Sequence, residues 1–378
     1  MKRLLFGLLA AAAVLLPARA PADGWDANTY YTVYTDAGDE LFTFAGDMEK
    51  GDEYISADNQ CYVVQSVDEN AKKAMAVHQG AQQLPNVSWI ETSAAVPVSA
   101  GGEPGSDGGK GGRMIALYST HSDESYQPTD GVDAAENGKG GIYDVGRELK
   151  KALEDKGIAV ELDETIHAPH DSGAYRRSRQ TAIDLLKKGP DAIIDVHRDG
   201  IPDPDEYEVT IEGQDASKVR LLVGRSNQNA AANKEFALEL KAVADKKYPG
   251  LIKDIYIGKG SYNQDLMSNA ILLEMGTHTI DKDRAIASAH LMSNVISDTL
   301  YGGVSGAAGG GNQSSANKGA GSGIVWLVII LAIVVGVYAF LQTGNGKVAW
   351  EKMKRNTSEL TIGLIGKRPD QDRDRDRK

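Results

Sequence analysis

The sequence predicts an α/β fold: a mostly parallel central sheet flanked by helices, preceded by a small β unit and followed by one transmembrane helix. Three observations predict it. From residue 113 onward, short apolar strands alternate with amphipathic helical stretches, the texture of a parallel sheet covered by helices. Residues 25–97 instead carry short runs of alternating β-branched and aromatic side chains punctuated by Asp and Gly, the pattern of an antiparallel β unit. Near the end, the run from Ile324 to Leu341 is apolar and free of charge.

The elements follow in order. Met1, Lys2 and Arg3 precede an apolar run from Leu4 to Leu16 and then the small residues Ala18 and Ala20, so residues 1–20 read as a secretory signal peptide cleaved after Ala20 or, alternatively, as an uncleaved anchor. The β unit draws its strands from YYTVYT, ELFTFA, EYIS, CYVVQSV and AMAVH. Cys61 is the single cysteine, so no internal disulfide can form, and it reads as a small packing residue. Residues 98–112, rich in Gly and punctuated by Glu103, Pro104 and Asp107, read as a flexible linker. A single domain is expected over 113–301. Its strands are MIALYS, IAVELDE, DAIIDVHRD, VRLLVGR and ILLEMG; its helices are GIYDVGRELKKALEDKG, SGAYRRSRQTAIDLLKKG, NAAANKEFALELKAVADKKY and DKDRAIASAHLMSNVISDTLY. Residues 302–323 form a Gly- and Ser-rich tether. At about 1.5 Å per residue, 324–341 is long enough to cross the bilayer core. Lys347, Lys352, Lys354 and Arg355 open a basic tail over 342–378. Positive charge favours the cytoplasmic side, so a single-pass protein is expected with its bulk on the extracytoplasmic face of the cell membrane. The net charge of -12 excludes a nucleic-acid partner, which needs clustered Lys and Arg.

The chemistry collects at strand ends. Ligands of open α/β sheets bind beyond the carboxyl ends of the strands. One strand here ends in Ser119, Thr120, His121, Ser122, Asp123, Glu124; a second in Asp195, Val196, His197, Arg198, Asp199; a third in Leu272, Leu273, Glu274, Met275, Gly276. A catalytic zinc takes three protein ligands from His and carboxylate and leaves a fourth position open, a count that His121, Glu124 and His197 satisfy. Glu274, acidic at the end of an apolar strand, is then the general base that moves a proton from water to a leaving nitrogen. His167 and His170 are a second ligand pair by side-chain type, read instead as substrate-loop residues. Arg176, Arg177, Arg179 and Arg198 offer guanidinium forks for carboxylates, with a solvated helix face as the alternative for the first two. His278 and His290 read as loop and helix-surface residues.

The runs STHSDESY, SGAYRRSRQTAIDLL, DAIIDVHRDG and YNQDLMSNAILLEMG, in that order over Ile115 to Gly276, resemble the stage II sporulation protein P family. The resemblance implies an amidase-like sheet fold and a zinc-dependent N-acetylmuramoyl-L-alanine amidase. Such an enzyme cleaves the bond between muramic acid and the L-alanine of the stem peptide in peptidoglycan, with an added endopeptidase activity on cross-links. It maps the two motif histidines onto His121 and His197 and the late acidic residue onto Glu274. The carboxylate ligand stays open between Glu124 and, on the following helix, Glu148. Arg179, Arg198, Asn263 and Gln264 are the expected substrate contacts. Spore engulfment, a glycan-cleaving partner enzyme and a membrane scaffold are likewise implied by the resemblance. Two departures stand out: Ser119 occupies a place where family members carry a His, and the evident anchor is C-terminal. Rival readings are a zinc carboxypeptidase or endopeptidase acting on wall peptides and an inactive wall-binding tether.

Overall fold

The computed structural model describes residues 30–88, 90, 112–171 and 173–302. The expected signal peptide, tether, transmembrane helix and basic tail lie outside these residues, as does the linker apart from Gly112. Among the described residues no helix is long and apolar enough to cross a membrane.

Eleven strands form one sheet in the order β2-β1-β5-β4-β3-β12-β11-β13-β8-β6-β7. The first five are β1 (Tyr31–Thr35), β2 (Glu40–Phe44), β3 (Glu53–Ser56), β4 (Gln60–Asp68) and β5 (Lys73–Ala81). The rest are β6 (Met114–Tyr118), β7 (Ala159–Leu162), β8 (Ala192–Asp199), β11 (Val219–Gly224), β12 (Ile252–Gly258) and β13 (Ala270–Thr277). A separate hairpin pairs β9 (Glu208–Ile211) with β10 (Gln214–Ser217). Every residue of β8 and of β11 is buried, as in strands covered on both faces, including the polar Asp195, His197, Arg198, Asp199 and Arg220.

The sheet is mixed rather than mostly parallel. β7, β6, β8 and β13 run parallel, but β13 meets β11 antiparallel, β11 and β12 are parallel, and β12 meets β3 antiparallel. The physical reason lies in the connections. A parallel return needs a crossover, usually a helix. The helices α2 (Ile142–Glu154), α3 (Ala174–Leu186) and α4 (Ala230–Lys247) provide one after β6, β7 and β11. Between β8 and β11 there is only the β9-β10 hairpin, and between β12 and β13 only a loop with a short 3-10 turn, so the chain reverses at both places.

The small β unit is no separate body. β3 pairs edge to edge with β12 through Ser56 to Asp254 and Tyr54 to Tyr256, which extends the central sheet by five strands. Tyr31, Val33, Phe42 and Phe44 share a core with Leu222, Tyr256 and Leu272 of the central strands. The main core lies on one face, where Ile142, Val145, Leu149 and Leu153 of α2, three or four residues apart, pack with α4 and α5 (Lys282–Tyr301). Gly157, at φ 74, takes the left-handed conformation that lets the chain leave α2 and enter β7. Ala182 and Leu185 of α3 cover Ala116, Ile193 and Ala270.

Candidate metal centre and its cavity

Three neighbouring parallel strands, β6, β8 and β13, bring their carboxyl ends together, and the sheet register sets Glu274 directly beside His197. The loop after β6 carries His121 and Glu124. Its backbone is fixed from several sides: Ser125 N–H donates to Asp133 O, Ala135 N–H to Asp123 O, Gly140 N–H to Ser122 O and Ile142 N–H to Glu124 O. Space is tight enough that a Cβ on Gly140 would stand 1.9 Å from the Glu124 carbonyl oxygen.

His121, Glu124 and His197 form a group whose ligand atoms lie within 4.8 Å of one another. His121 Nδ1 stands 3.1 Å and His197 Nδ1 3.2 Å from the same oxygen, Glu124 Oε1. Donors about 2.0–2.1 Å from a tetrahedral ion stand about 3.3 Å apart, so the observed separations are close to the edges of a coordination tetrahedron. Two imidazoles and one carboxylate are a donor set that suits zinc. Glu124 is oriented by its second oxygen, which accepts the Arg198 backbone N–H at 2.9 Å. His197 is backed by Asp195, whose Oδ1 is 2.9 Å from Nε2. Asp195 is in turn held by the backbone N–H and the hydroxyl of Thr120, at 2.8 and 2.6 Å. A carboxylate behind a ligating histidine fixes the ring and raises its basicity.

The electrostatics differ from residue to residue. Burial, helped by the stacked ring of His170, holds His121 at about 4, so its ring is neutral with a lone pair to give. Burial disfavours a charged His197, but the carboxylates of Asp195 and Glu124 facing its two nitrogens outweigh that and raise it well above the ordinary value. Glu124 is held well below the usual carboxylate range, its burial overcome by His197 and His121. Burial, reinforced by the charge of Asp199, pushes Glu274 well above that range. Glu274 Oε2 is buried and has no hydrogen-bond partner among the described residues.

These residues sit in a cavity of about 620 Å³. Tyr175 and Tyr262 line it, with their rings packed edge to face. Tyr31, Phe44 and Lys72 of the N-terminal strands also reach it, as does His170, whose Nδ1 is 3.1 Å from Asp123 Oδ1.

The other expected site residues do not join the His-Glu-His cluster. Glu148 faces His290 at 3.5 Å, away from the cluster. His167 is buried between the Ser119 carbonyl and the Thr181 hydroxyl, each at 2.9 Å, and binds α3 to the loop. Arg198 lines the cavity but aims its guanidinium at the carbonyls of Ser125, Asp199 and Asp133. Arg179 makes a two-point pair with Asp265 at 2.8 and 2.6 Å. The Asn263 side chain donates to the Tyr175 carbonyl and Ser178 hydroxyl, and that of Gln264 bridges Gly224 N–H and Leu222 O. The last three lock the loop that presents Tyr262, where Tyr262 and Asn263 both take positive φ, at 50 and 55. Arg177 is held by the carbonyls of His167 and Pro169 and by Asp171.

Sequence reasoning missed the walls of the cavity and one buried network. Arg220, fully buried on β11, binds Asp254 through Nε and Nη2 and Asp199 through Nη1, beside Glu274 in the sheet register. An arginine inside the apolar run VRLLVGR was the available signal; the tyrosines carried none.

The family model described as Stage II sporulation protein P (SpoIIP) matches residues 37–297. A curated protein of that name from Bacillus subtilis (strain 168) is 32% identical over 209 residues, covering 50% of this chain and 51% of its own, so the chain spans about half the length of that relative. Among solved structures, the N-acetylmuramoyl-L-alanine amidase AmiC2 of Nostoc punctiforme is similar at 12% identity and a TM-score of 0.31, over 51% of this chain and 97% of that one. The N-acetylmuramoyl-L-alanine amidase from Clostridium difficile 630 is similar at 16% identity and a TM-score of 0.32, over 50% of this chain and 95% of that one.

Proposed function

The chain belongs to the stage II sporulation protein P family, and from that membership together with its His-Glu-His cluster we propose that it is a zinc-dependent peptidoglycan hydrolase of spore formation. In this reading it cleaves the amide between N-acetylmuramic acid and the L-alanine of the stem peptide, and segment 324–341 anchors it to the cell membrane with the catalytic unit on the extracytoplasmic face. The observation that carries the proposal is the convergence of His121, Glu124 and His197 on a cavity also lined by Glu274, whose Oε2 has no hydrogen-bond partner among the described residues.

The residues divide the work. His121, Glu124 and His197 hold the ion, which when bound supplies Lewis acidity to the amide carbonyl and to water. Glu274 takes the proton of the attacking water and delivers it to the leaving nitrogen; its raised affinity for a proton suits that shuttle. Asp195 keeps the His197 ring oriented. Tyr175 and Tyr262 wall the site and restrict water around the reacting bond.

Digestion of purified sacculi, followed by mass analysis of the products, tests this. Intact stem peptides with bare glycan are expected, lost on chelation and restored by zinc. Glu274→Gln should lower the rate by about 10²–10⁴-fold while metal content stays at the wild-type level. Free terminal D-alanine would favour the carboxypeptidase reading, and binding to sacculi without cleavage or metal would favour the tether.

A further inference from the structure

Among the described residues, three Lys or Arg side chains line the cavity: Lys72, Arg198 and Lys259. Two are committed within the protein, Arg198 to three backbone carbonyls and Lys259 to the carboxylate of Glu49. Lys72 differs. Its ammonium lies 4.6 Å over the ring of Tyr31 and 3.3 Å from the Tyr31 hydroxyl, contacts that leave donors of the ammonium for a further acceptor. The position is built. Asp68 Oδ1 accepts the N–H groups of Asn70 and Ala71, Lys72 takes φ 50, a left-handed conformation uncommon for a residue with a Cβ, and its carbonyl accepts the Thr32 N–H. The turn between β4 and β5 thus holds one lysine in the lining of the cavity. Four acidic groups also line the cavity, Asp47, Glu49, Glu69 and Asp171; Glu49 is paired with Lys259 and Asp171 with Arg177, so Asp47 and Glu69 repel a carboxylate that Lys72 attracts.

We propose that Lys72, presented by Tyr31, is a specificity-determining residue that binds a free carboxylate on the peptide side of the substrate, so that the N-terminal strands select acidic peptides for the metal centre. The substrate class rests on the hydrolase reading above; the carboxylate preference is a separate property.

The test measures binding by fluorescence anisotropy, using the full chain in a Glu274→Gln background so that bound peptide is not consumed. The probes are a labelled muramyl pentapeptide with free carboxyl groups and the same peptide with those groups amidated. The free form should bind roughly tenfold more tightly, as one charge-assisted hydrogen bond allows. Lys72→Met should erase the difference by weakening the free form alone, and Lys72→Arg should keep most of it. Equal affinity for the two probes, a preference that survives Lys72→Met, or no binding of either probe overturns the proposal. A chain that shows the preference but, with Glu274 intact, cleaves no sacculi removes the hydrolase reading and leaves Lys72 standing; a chain that cleaves without preference does the reverse.

Discussion

Replacing Arg220 by Met measures how much the buried charge network behind the site contributes to stability. Arg220 is 0% exposed and makes bonds of 2.7 and 3.0 Å to Asp254 and 2.8 Å to Asp199, with a further bond of 3.0 Å to the Thr43 carbonyl. Met fills most of the volume but strands two carboxylates whose other partners are Lys253 for Asp254 and, for Asp199, the Tyr207 hydroxyl and the Gly200 N–H. Breaking a buried pair by removing one partner costs about 3–5 kcal/mol. At a urea m-value of roughly 3 kcal/mol/M the unfolding midpoint, followed by far-UV circular dichroism, should fall by about 1–1.7 M. The pH dependence has a definite sign. Burial raises the Asp254 carboxyl, but Arg220 and Lys253 outweigh it and hold it below its usual value. A depressed carboxylate stabilises the fold above the unfolded value of about 3.9 and loses that contribution as pH falls. The gap between wild type and variant is therefore widest near neutral pH. It narrows on acidification, as the stranded Asp254 takes up a proton and, below about 3.9, the wild type loses its Arg220–Asp254 ion pair. Adding Asp254→Leu to Arg220→Met should recover much of the loss, since an apolar replacement of both partners removes the uncompensated charge. A loss below about 1 kcal/mol at pH 7, or a gap that stays constant well below about pH 3.9, would refute the reasoning.

Two further predictions concern the metal. Binding of zinc at pH 7 should release at least about one proton per ion, from His197, because His121 at about 4 is already neutral and Glu124 is already ionised; calorimetry in buffers of different ionisation enthalpy reads this, and no release would contradict it. Gly140→Ala should lower zinc affinity by about 10–100-fold, since the new Cβ meets the Glu124 carbonyl oxygen at 1.9 Å and the Asp123 carbonyl carbon at 2.5 Å. Equilibrium dialysis checks it, with the circular dichroism spectrum unchanged; wild-type affinity would show that the loop can give way at no expense to the site.

The cluster of His121, Glu124, His197 and Glu274 was legible because each residue follows or ends an apolar strand, and the ends of neighbouring parallel strands meet in space whatever their distance in sequence. The direction of β11 and β12 was not, because their reversal is written in two connections that lack a helix, and β12 itself, IKDIYIG, was not read as a strand. Nor does an arginine announce its acceptor. Arg198 and Arg179 have the side chains to grip a substrate carboxylate, yet one finds backbone carbonyls and the other Asp265. The wall formed by Tyr31 and Lys72 was hidden for a different reason: it exists only once β3 lies against β12, a pairing that no local pattern encodes.

That pairing also sets a timetable. Ser56 is made early but finds Asp254 only after nearly the whole catalytic segment has been synthesised, and Glu274 comes later still, on the last strand of the sheet. Contacts so distant along the chain form late, after the local helices and hairpins. A half-assembled molecule therefore has His121, Glu124 and His197 without Glu274 beside them and a cleft without its far side, and the proposed site is complete only when the fold is finished.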